Sequence, residues 1–433
     1  MRSALLIALF ATALAGVVLG LSSCLSKPRF ECASTGDCAS SSGPGVCEPD
    51  GFCSFTDASC PSGRRYGDLS GPQANQCVGV PPDAPPPPDA APDSYVHDAR
   101  ECFGDGAYQL CFTAMPPMGV VNLAGALDTT TDVRCQPTMP QSWTDSGQPD
   151  SCLIMGNSIT VSAALTVTGT RPLVLLAETI AVNALLDLAS HRAMASGPGA
   201  PASQCAAFGS TPVGDATGAA GGAGGSFTRK GGDGGRGNGG GVLGGIAAPD
   251  TVAPTVLRAG CAGQAGGAAG AVTAGAPGQG GGAVYLTASR ILISGNGVIS
   301  ASGAGAVGGG SLTGGSGGGT GGMIVLHAAE SIAATGGRLV ANGGGGSGGA
   351  EVNVNGLPGA DPVPATQSVP APGGNGPGGN GGDGFAGTTA AQNGANAGGN
   401  KETGGGGGGG GGYIQSNRAV TGALVSPPVT VVP

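Results

Sequence analysis

Charged side chains are scarce in this chain of 433 residues: Lys and Arg number 17, Asp and Glu 26, and together they make up 10% of the sequence. The net charge of -9 leaves no basic surface to neutralise phosphates, so no nucleic-acid partner is expected. Aromatic residues are also few, with nine Phe, five Tyr and one Trp, and much of the 39% apolar content is alanine. Large side chains that could fill a wide core are therefore missing, which argues against a conventional globular enzyme. Only three histidines occur, at 97, 191 and 327. No second long apolar run follows the first 24 residues. What fills the space instead is glycine: 92 residues, about one in five, against an ordinary ~7%. No regular Gly-X-Y period with proline accompanies it, which excludes collagen.

The N-terminus reads as an export signal, with Arg2 ahead of an apolar run from Ala4 to Leu21 and then two serines and Cys24. It resembles a bacterial lipoprotein signal, Leu21-Ser22-Ser23-Cys24 forming the lipobox. That resemblance implies cleavage before Cys24, a diacylglycerol on its thiol and acylation of its new amine. Two or three acyl chains give stable anchoring to a lipid bilayer where one chain is marginal. Leu25 stands where lipoproteins kept in the inner membrane carry Asp, so the resemblance implies the outer membrane, periplasmic or surface-exposed. The other twelve cysteines suit an oxidising compartment: Cys32, Cys38, Cys47, Cys53, Cys60, Cys77, Cys102, Cys111, Cys135, Cys152, Cys205 and Cys261. An even number in an exported chain suggests up to six disulfides. Without a Cys-x-x-Cys pair or a nearby histidine, no metal site or cofactor is expected.

Composition divides the chain as follows: signal peptide 1–23, cysteine-rich disulfide module 24–79, proline-rich linker 80–94, small disulfide-linked cap 95–157, glycine-rich repeat domain 158–426 and C-terminal tail 427–433. The six cysteines of the module are separated by 5, 8, 5, 6 and 16 residues, among too few apolar residues for a core. Fifteen pairings are open there. Arg64, Arg65 and Tyr66 are read as a solvated turn before a contact site. The linker VPPDAPPPPDAAPD favours an extended polyproline spacer. In the cap, proximity suggests Cys102 with Cys111 and Cys135 with Cys152. Trp143 is read as an anchor for the next domain, with sugar stacking as the alternative.

From Ser158 apolar and small polar residues alternate, as in strands. The block GGAVYLTASRILISGNGVISASG at 281–303 returns forty positions later as GGMIVLHAAESIAATGGRLVANG at 321–343. Val284 matches Ile324, Leu286 matches Leu326, and Ile299 matches Leu339. A one-residue adjustment brings Ile291 onto Ile332. An echo occupies 411–426. Each unit cannot bury its own apolar face, so the expected fold is mainly β, with parallel β-helix-like repeats stacked on one another. The glycine tracts at 197–280, 304–320 and 344–410 are expected to leave it as loop excursions; the run at 404–412 reads as disorder, with extended, hydrogen-bonded backbone ridges as the alternative. Cys205 and Cys261 bracket one of them and, if paired, argue for order there. Ser294 and Asn342, near corners, are expected to tolerate substitution unless the side chain caps the turn.

Chemistry is sparse. GGNGGDGFA at 378–386 matches one calcium-binding nonapeptide, with Asp383 as carboxylate and Phe385 inward, but neither flank repeats it. The repeats carry Glu178, Asp187 and Glu330 singly. Glu178 and Glu330 share a repeat position and read as corner residues. No pair of carboxylates, and no nucleophile with its base, can be assembled. Lipobox, cysteine cluster ending in Ser62-Gly63-Arg64-Arg65-Tyr66-Gly67, proline linker and alternating strand and glycine blocks resemble, taken together, the uncharacterised glycine-rich outer-membrane lipoproteins of myxobacteria type. The expectation is a lipid-anchored cell-surface structural or adhesive protein without catalytic activity, with surface polysaccharide or other surface components as partners. The alternatives are a carbohydrate-binding surface protein centred near Trp143 and a divergent polysaccharide-active β-helix enzyme.

Overall fold

The computed structural model describes residues 30–40, 43–70, 73–79, 101–115, 118–202, 204–215, 218–251, 254–270, 272–399 and 402–432. Cys24 and the proline linker lie outside the described residues. The chain divides into two units, one up to Tyr95 and one from Val96. In the first, β1 (Ala39–Ser40) pairs with β2 (Gly43–Pro44), and β3 (Val46–Cys47), β4 (Cys53–Thr56) and β5 (Arg64–Tyr66) form an antiparallel sheet. Its buried cluster is mostly sulfur: Cys32, Cys38 and Cys53, with Cys47 and Phe55 against them. The bonds Cys32–Cys47, Cys38–Cys53 and Cys60–Cys77 close loops of 15, 15 and 17 residues. Each such loop contributes ~3 kcal/mol by restricting the unfolded chain, replacing the absent apolar core.

The second unit opens with the hairpin β6 (Glu101–Phe103) and β7 (Leu110–Phe112), then β8 (Val120–Asp128) and the short helix α1 (Gln141–Asp145). Next come β9 (Cys152–Thr168), β10 (Leu173–Val182), β11 (Leu185–Asp187) and the small pair β12 (Gly214–Asp215) and β13 (Gly218–Ala219). The remaining strands are β14 (Ala283–Ile293), β15 (Val298–Ser300), β16 (Met323–Ala333), β17 (Arg338–Val340), β18 (Tyr413–Ser416), β19 (Leu424–Ser426) and β20 (Thr430–Val431). Eleven of these strands form one strongly curled parallel sheet, ordered β19-β17-β15-β11-β9-β10-β14-β16-β18-β20, with β8 also on β9. The forty-residue offset is the strand register: Val284 faces Ile324, Leu286 faces Leu326, and Ile299 faces Leu339. The slip between Ala288 and Arg290 brings Ile291 onto Ile332.

The slip lies at a corner, which β10 and β14 turn in unbroken register. In β10 the residues facing the inner core are Leu173, Leu175 and Ala177, then Ile180 and Val182, so the inward parity changes at exposed Glu178. A one-residue shift turns a strand's side chains to its other face, so the chain must bend there to keep apolar residues inside. Apolar ladders result, among them Cys152-Leu173-Val284-Ile324-Ile414 and Leu165-Leu186-Ile299-Leu339-Val425. The outer face of the first strand segments is covered too. Leu153, Val174, Tyr285 and Val325 pack under Tyr108, Leu110, Trp143, Phe227 and Leu257.

The glycine tracts are not loose loops. They run from the strand ends as straight rods, and the run 404–412 is at the centre of the bundle. Its amides at 404, 407 and 410 donate to Ala219, Gly222 and Gly225. Those at 405 and 408 donate to Ala395 and Gln392, and those at 406, 409 and 412 to Ser347, Gly344 and Ala341. The carbonyls accept in the same rotation: 404, 407 and 410 from Gly315, Gly318 and Gly321; 405 and 408 from Gly235 and Gly232; 406 and 409 from Gly382 and Phe385. All these bonds span 2.8–3.1 Å. A period of three, with no bond inside the segment, is the geometry of polyproline II. Each rod of this kind can bond six neighbours in a hexagonal array, and rods 313–322 and 341–350 are surrounded in the same way.

Glycine is required because neighbouring backbones touch. A Cβ built at any position from 404 to 410 would lie 1.9–2.1 Å from a neighbouring carbonyl oxygen, so each Cα–H points at that oxygen. A net hydrogen bond contributes ~1 kcal/mol and a Cα–H···O contact ~0.5–1 kcal/mol, against ~1–2 kcal/mol of backbone entropy per residue. The lattice is therefore near balance alone and depends on the sheet, whose hydrogen-bonded strands deliver rods already side by side. Tyr413 N–H bonds to Gly322, and Met323 N–H to Gly282, where rods become strands.

Two expectations change. Strand β9 begins at Cys152 and runs through the boundary expected at 157/158, so the cap and the repeats share one sheet. Asn342 is fully buried, donating from Nδ2 to Gln367 O at 2.7 Å and accepting from Ser426 Oγ, so it is not a tolerant corner.

Candidate functional site

Where β11 leaves the sheet for the rods, a charged cluster closes the junction. His191 Nε2 is 2.9 Å from Asp187 Oδ2, and His191 Nδ1 is 3.6 Å from Asp361 Oδ2. The hydrogen bond to Asp187, then that to Asp361, pushes the imidazole up to about 10 against the effect of burial. Burial works against the Asp361 anion, yet His191 and the amides of Gly305 and Arg192 hold its carboxyl below the usual range. The Arg192 guanidinium reaches Gly359 O. Asp361 and Gly359 O tie the 188–197 segment to rods 301–309 and 356–361, while Asp187 holds the imidazole and the Ala189 amide from its own stretch of chain, which makes the cluster a clamp.

A cleft of about 430 Å³ opens between the β6–β7 hairpin and β18, lined by Asp105, Tyr108, Thr255, Tyr413 and Gln415 among others. Beside Asp105, His327 Nε2 lies 3.5 Å from its carboxylate. Burial pulls the His327 imidazole below its ordinary value, Asp105 opposing, and its Nδ1 is buried with no hydrogen-bond partner. The Tyr285 hydroxyl is fully buried beside Thr287 without a well-formed hydrogen bond, and burial raises it far above the usual phenol range. The cleft offers hydrogen bonding through the exposed Asp105 carboxylate and the Gln415 amide, between the Tyr108 and Tyr413 rings. The first unit has a cleft of about 580 Å³ bordered by Phe30, Phe55, Leu69 and Arg65 among others.

All twelve cysteines from Cys32 onward are paired. Cys102–Cys111, Cys135–Cys152 and Cys205–Cys261 are the pairs that proximity suggested. Cys32, Cys38 and Cys47 have sulfurs within 4.8 Å of one another, but each is in a disulfide and offers no thiolate ligand. Trp143 is fully buried, stacked on Tyr285 at 6.0 Å and donating Nε1–H to Pro149 O at 2.8 Å. It anchors the hairpin to the sheet and presents no face to a sugar. Arg64, Arg65 and Tyr66 form a strand. Arg65 pairs with Asp57 and bonds Asn75 O, while Tyr66 bonds Asp50.

Of the repeat carboxylates, Asp187 does not stand singly as expected, because His191 brings it together with Asp361, whose rod is distant in sequence. Glu178 is exposed on β10, and Glu330 pairs with Arg290 of the neighbouring strand at 2.9 Å. In the supposed calcium nonapeptide, Asp383 Oδ1 accepts from Gly373 N at 2.8 Å and Asn380 Oδ1 from Gly376 N at 3.1 Å. The segment is a marginal rod whose two Gly-Gly-X triplets set Asn380 exposed and Asp383 half-buried, whereas Phe385 and Ala386 that follow are buried. Asp233 and Arg236 occupy the same phase of rod 231–237, and their amides donate to Asn393 and Asn396 of the next rod. The period of three in GGDGGR and GGNGGD is the sequence signal that reveals these rods. A search for nonapeptides passes over it.

No helix among the described residues is long and apolar enough to cross a membrane. No family model, curated protein or solved structure matches the chain.

Proposed function

We propose that this protein is a lipid-anchored structural or adhesive component of the cell surface, held through acylated Cys24 in the outer membrane and acting without catalysis. The observation that carries this reading is the rod bundle. A large share of the chain is spent on backbone packed against backbone, which yields a stiff body with an ordered margin of small polar groups. Such a body suits load and contact. We read the curled sheet as a β-helix-like coil in which each turn completes the core of the previous one, with the rods extending from its strand ends. The six disulfides suit an exported chain.

The test uses the full mature chain and polysaccharide extracted from the producing cells. Depletion of polysaccharide without release of reducing ends supports an adhesive role, whereas release of reducing ends overturns the non-catalytic reading. Anchoring is tested separately. The wild-type chain should enter the detergent phase with an intact mass carrying acyl chains, and Cys24→Ala should stay aqueous. An unmodified mature chain beginning elsewhere would refute lipidation.

A further inference from the structure

We propose that Cys205–Cys261 is a thiol-exchange site for a low-molecular-weight thiol, with Cys205 as the sulfur attacked and Arg258 as the group that holds the departing Cys261 thiolate. Three observations lead there. Cys205 is exposed, whereas Cys261 is only 3% exposed, so an incoming thiolate can approach one sulfur only. Arg258 Nη2 donates to Cys261 Sγ at 3.1 Å and lies 3.9 Å from Cys205 Sγ. Among the described residues this is the one disulfide whose sulfurs receive a hydrogen bond from a cation. The guanidinium also lies 4.5 Å over the Phe227 ring, a contact away from the disulfide that keeps it in place as charge develops, and it donates to Gln204 O beside Cys205.

The step balances without an added oxidant or reductant. The incoming thiolate forms a bond to Cys205 Sγ, the Cys205–Cys261 bond breaks, and its electron pair leaves on Cys261 Sγ beside the guanidinium. A thiol of lowered pKa is the faster leaving group, and an adjacent arginine lowers a thiol's pKa. The product is a mixed disulfide on Cys205 and a thiolate ion-paired with Arg258. Exchange also releases the covalent tie that holds the 204–210 segment over the bundle, where Gln264 Nε2 donates to Ser210 O at 2.9 Å.

The experiment treats the folded mature chain with glutathione, traps free thiols with an alkylating agent and maps the peptides by mass. The expected result is glutathione on Cys205 and the alkyl group on Cys261. In Arg258→Gln the exchange rate should fall about tenfold, with Arg258→Lys in between, because the leaving sulfur loses its counter-charge. The trapped Cys261 thiol of the wild type should also titrate lower than that of Arg258→Gln in a pH profile of alkylation. Because Arg258→Gln could loosen the 204–210 segment, melting temperatures of the variants are compared alongside. Glutathione on Cys261, an unchanged or faster rate in Arg258→Gln, or no exchange while the chain stays folded would each overturn the proposal.

Discussion

Replacing Gly407 by alanine tests the rod lattice directly. The added methyl would sit 2.0 Å from Gly232 O and 2.5 Å from Gly232 C, both backbone atoms that cannot rotate aside. An ordinary carbon-to-oxygen approach is ~3.3 Å, so one rod must move by ~1.3 Å. Gly407 is held by its amide on Gly222 O and by its carbonyl under the Gly318 amide, both at 2.9 Å, and a movement of that size breaks both bonds. Two lost bonds at ~1 kcal/mol each and ~1–3 kcal/mol of overpacking give a loss of ~3–5 kcal/mol. That is a large share of an ordinary domain's ~5–15 kcal/mol. The control is Gly310→Ala, where a methyl meets nothing within 4 Å; its change should stay within ~1 kcal/mol and can be stabilising. Urea unfolding of the mature chain measures both. If Gly407→Ala does not accumulate, hydrogen exchange of the unmodified chain decides instead, with amides 404–412 among the slowest. Equal stability of the two variants, or rapid exchange at 404–412, would refute the lattice.

Ile332→Ala should cost ~2–5 kcal/mol, since Ile332 is only 4% exposed and stacks on Ile291 of the neighbouring strand, and Asn342→Ala ~1–3 kcal/mol through the partners it leaves unpaired; chemical denaturation checks both. His191 is pushed up from 6.5 to about 10 on folding, so its contribution is complete below about pH 6.5 and is lost as pH rises through 10. Stability measured from pH 6 to 10 should therefore fall more steeply in the wild type than in His191→Gln, and identical slopes would refute the clamp. Asp383 already accepts from Gly373, so a change from calcium to a chelator should move the melting temperature by no more than ~1 °C. A larger calcium-dependent shift would restore the nonapeptide reading.

Much of the sheet was legible because it obeys local rules. Val284 and Leu286 recur as Ile324 and Leu326 because parallel neighbours must place apolar side chains on the same inner ladder. The one-residue adjustment before Ile291 was legible because β16 takes one residue more than β14 to turn the same corner, from Ala328 to Ile332 against Ala288 to Ile291. The rods were harder to see. Nothing in the run 404–412 distinguishes a disordered tract from a buried one, since the same absence of side chains permits both. The deciding partners lie on other rods, most of them far away in sequence: Gly222, Ser347, Ala395, Gly315, Gly235 and Gly382. Asn342 misled for a related reason, because a polar residue near a turn reads as solvent-facing until Ser426 and Gln367 are seen to close over it.

By itself the sequence determined the period-two strands, the equivalence of the repeated blocks, an export address as an expectation, and glycine at a density that only close backbone packing or disorder can use. Tertiary structure decided between those last two. Six rods can surround a seventh only when every donor and acceptor finds a partner on another rod, and no local segment contains that information. It also decided that Trp143 is an anchor, that Asp187, His191 and Asp361 meet, and that Arg258 stands over the Cys205–Cys261 sulfurs. Each of those outcomes depends on where a distant rod or strand is placed, which is set by the whole lattice packing against the curled sheet.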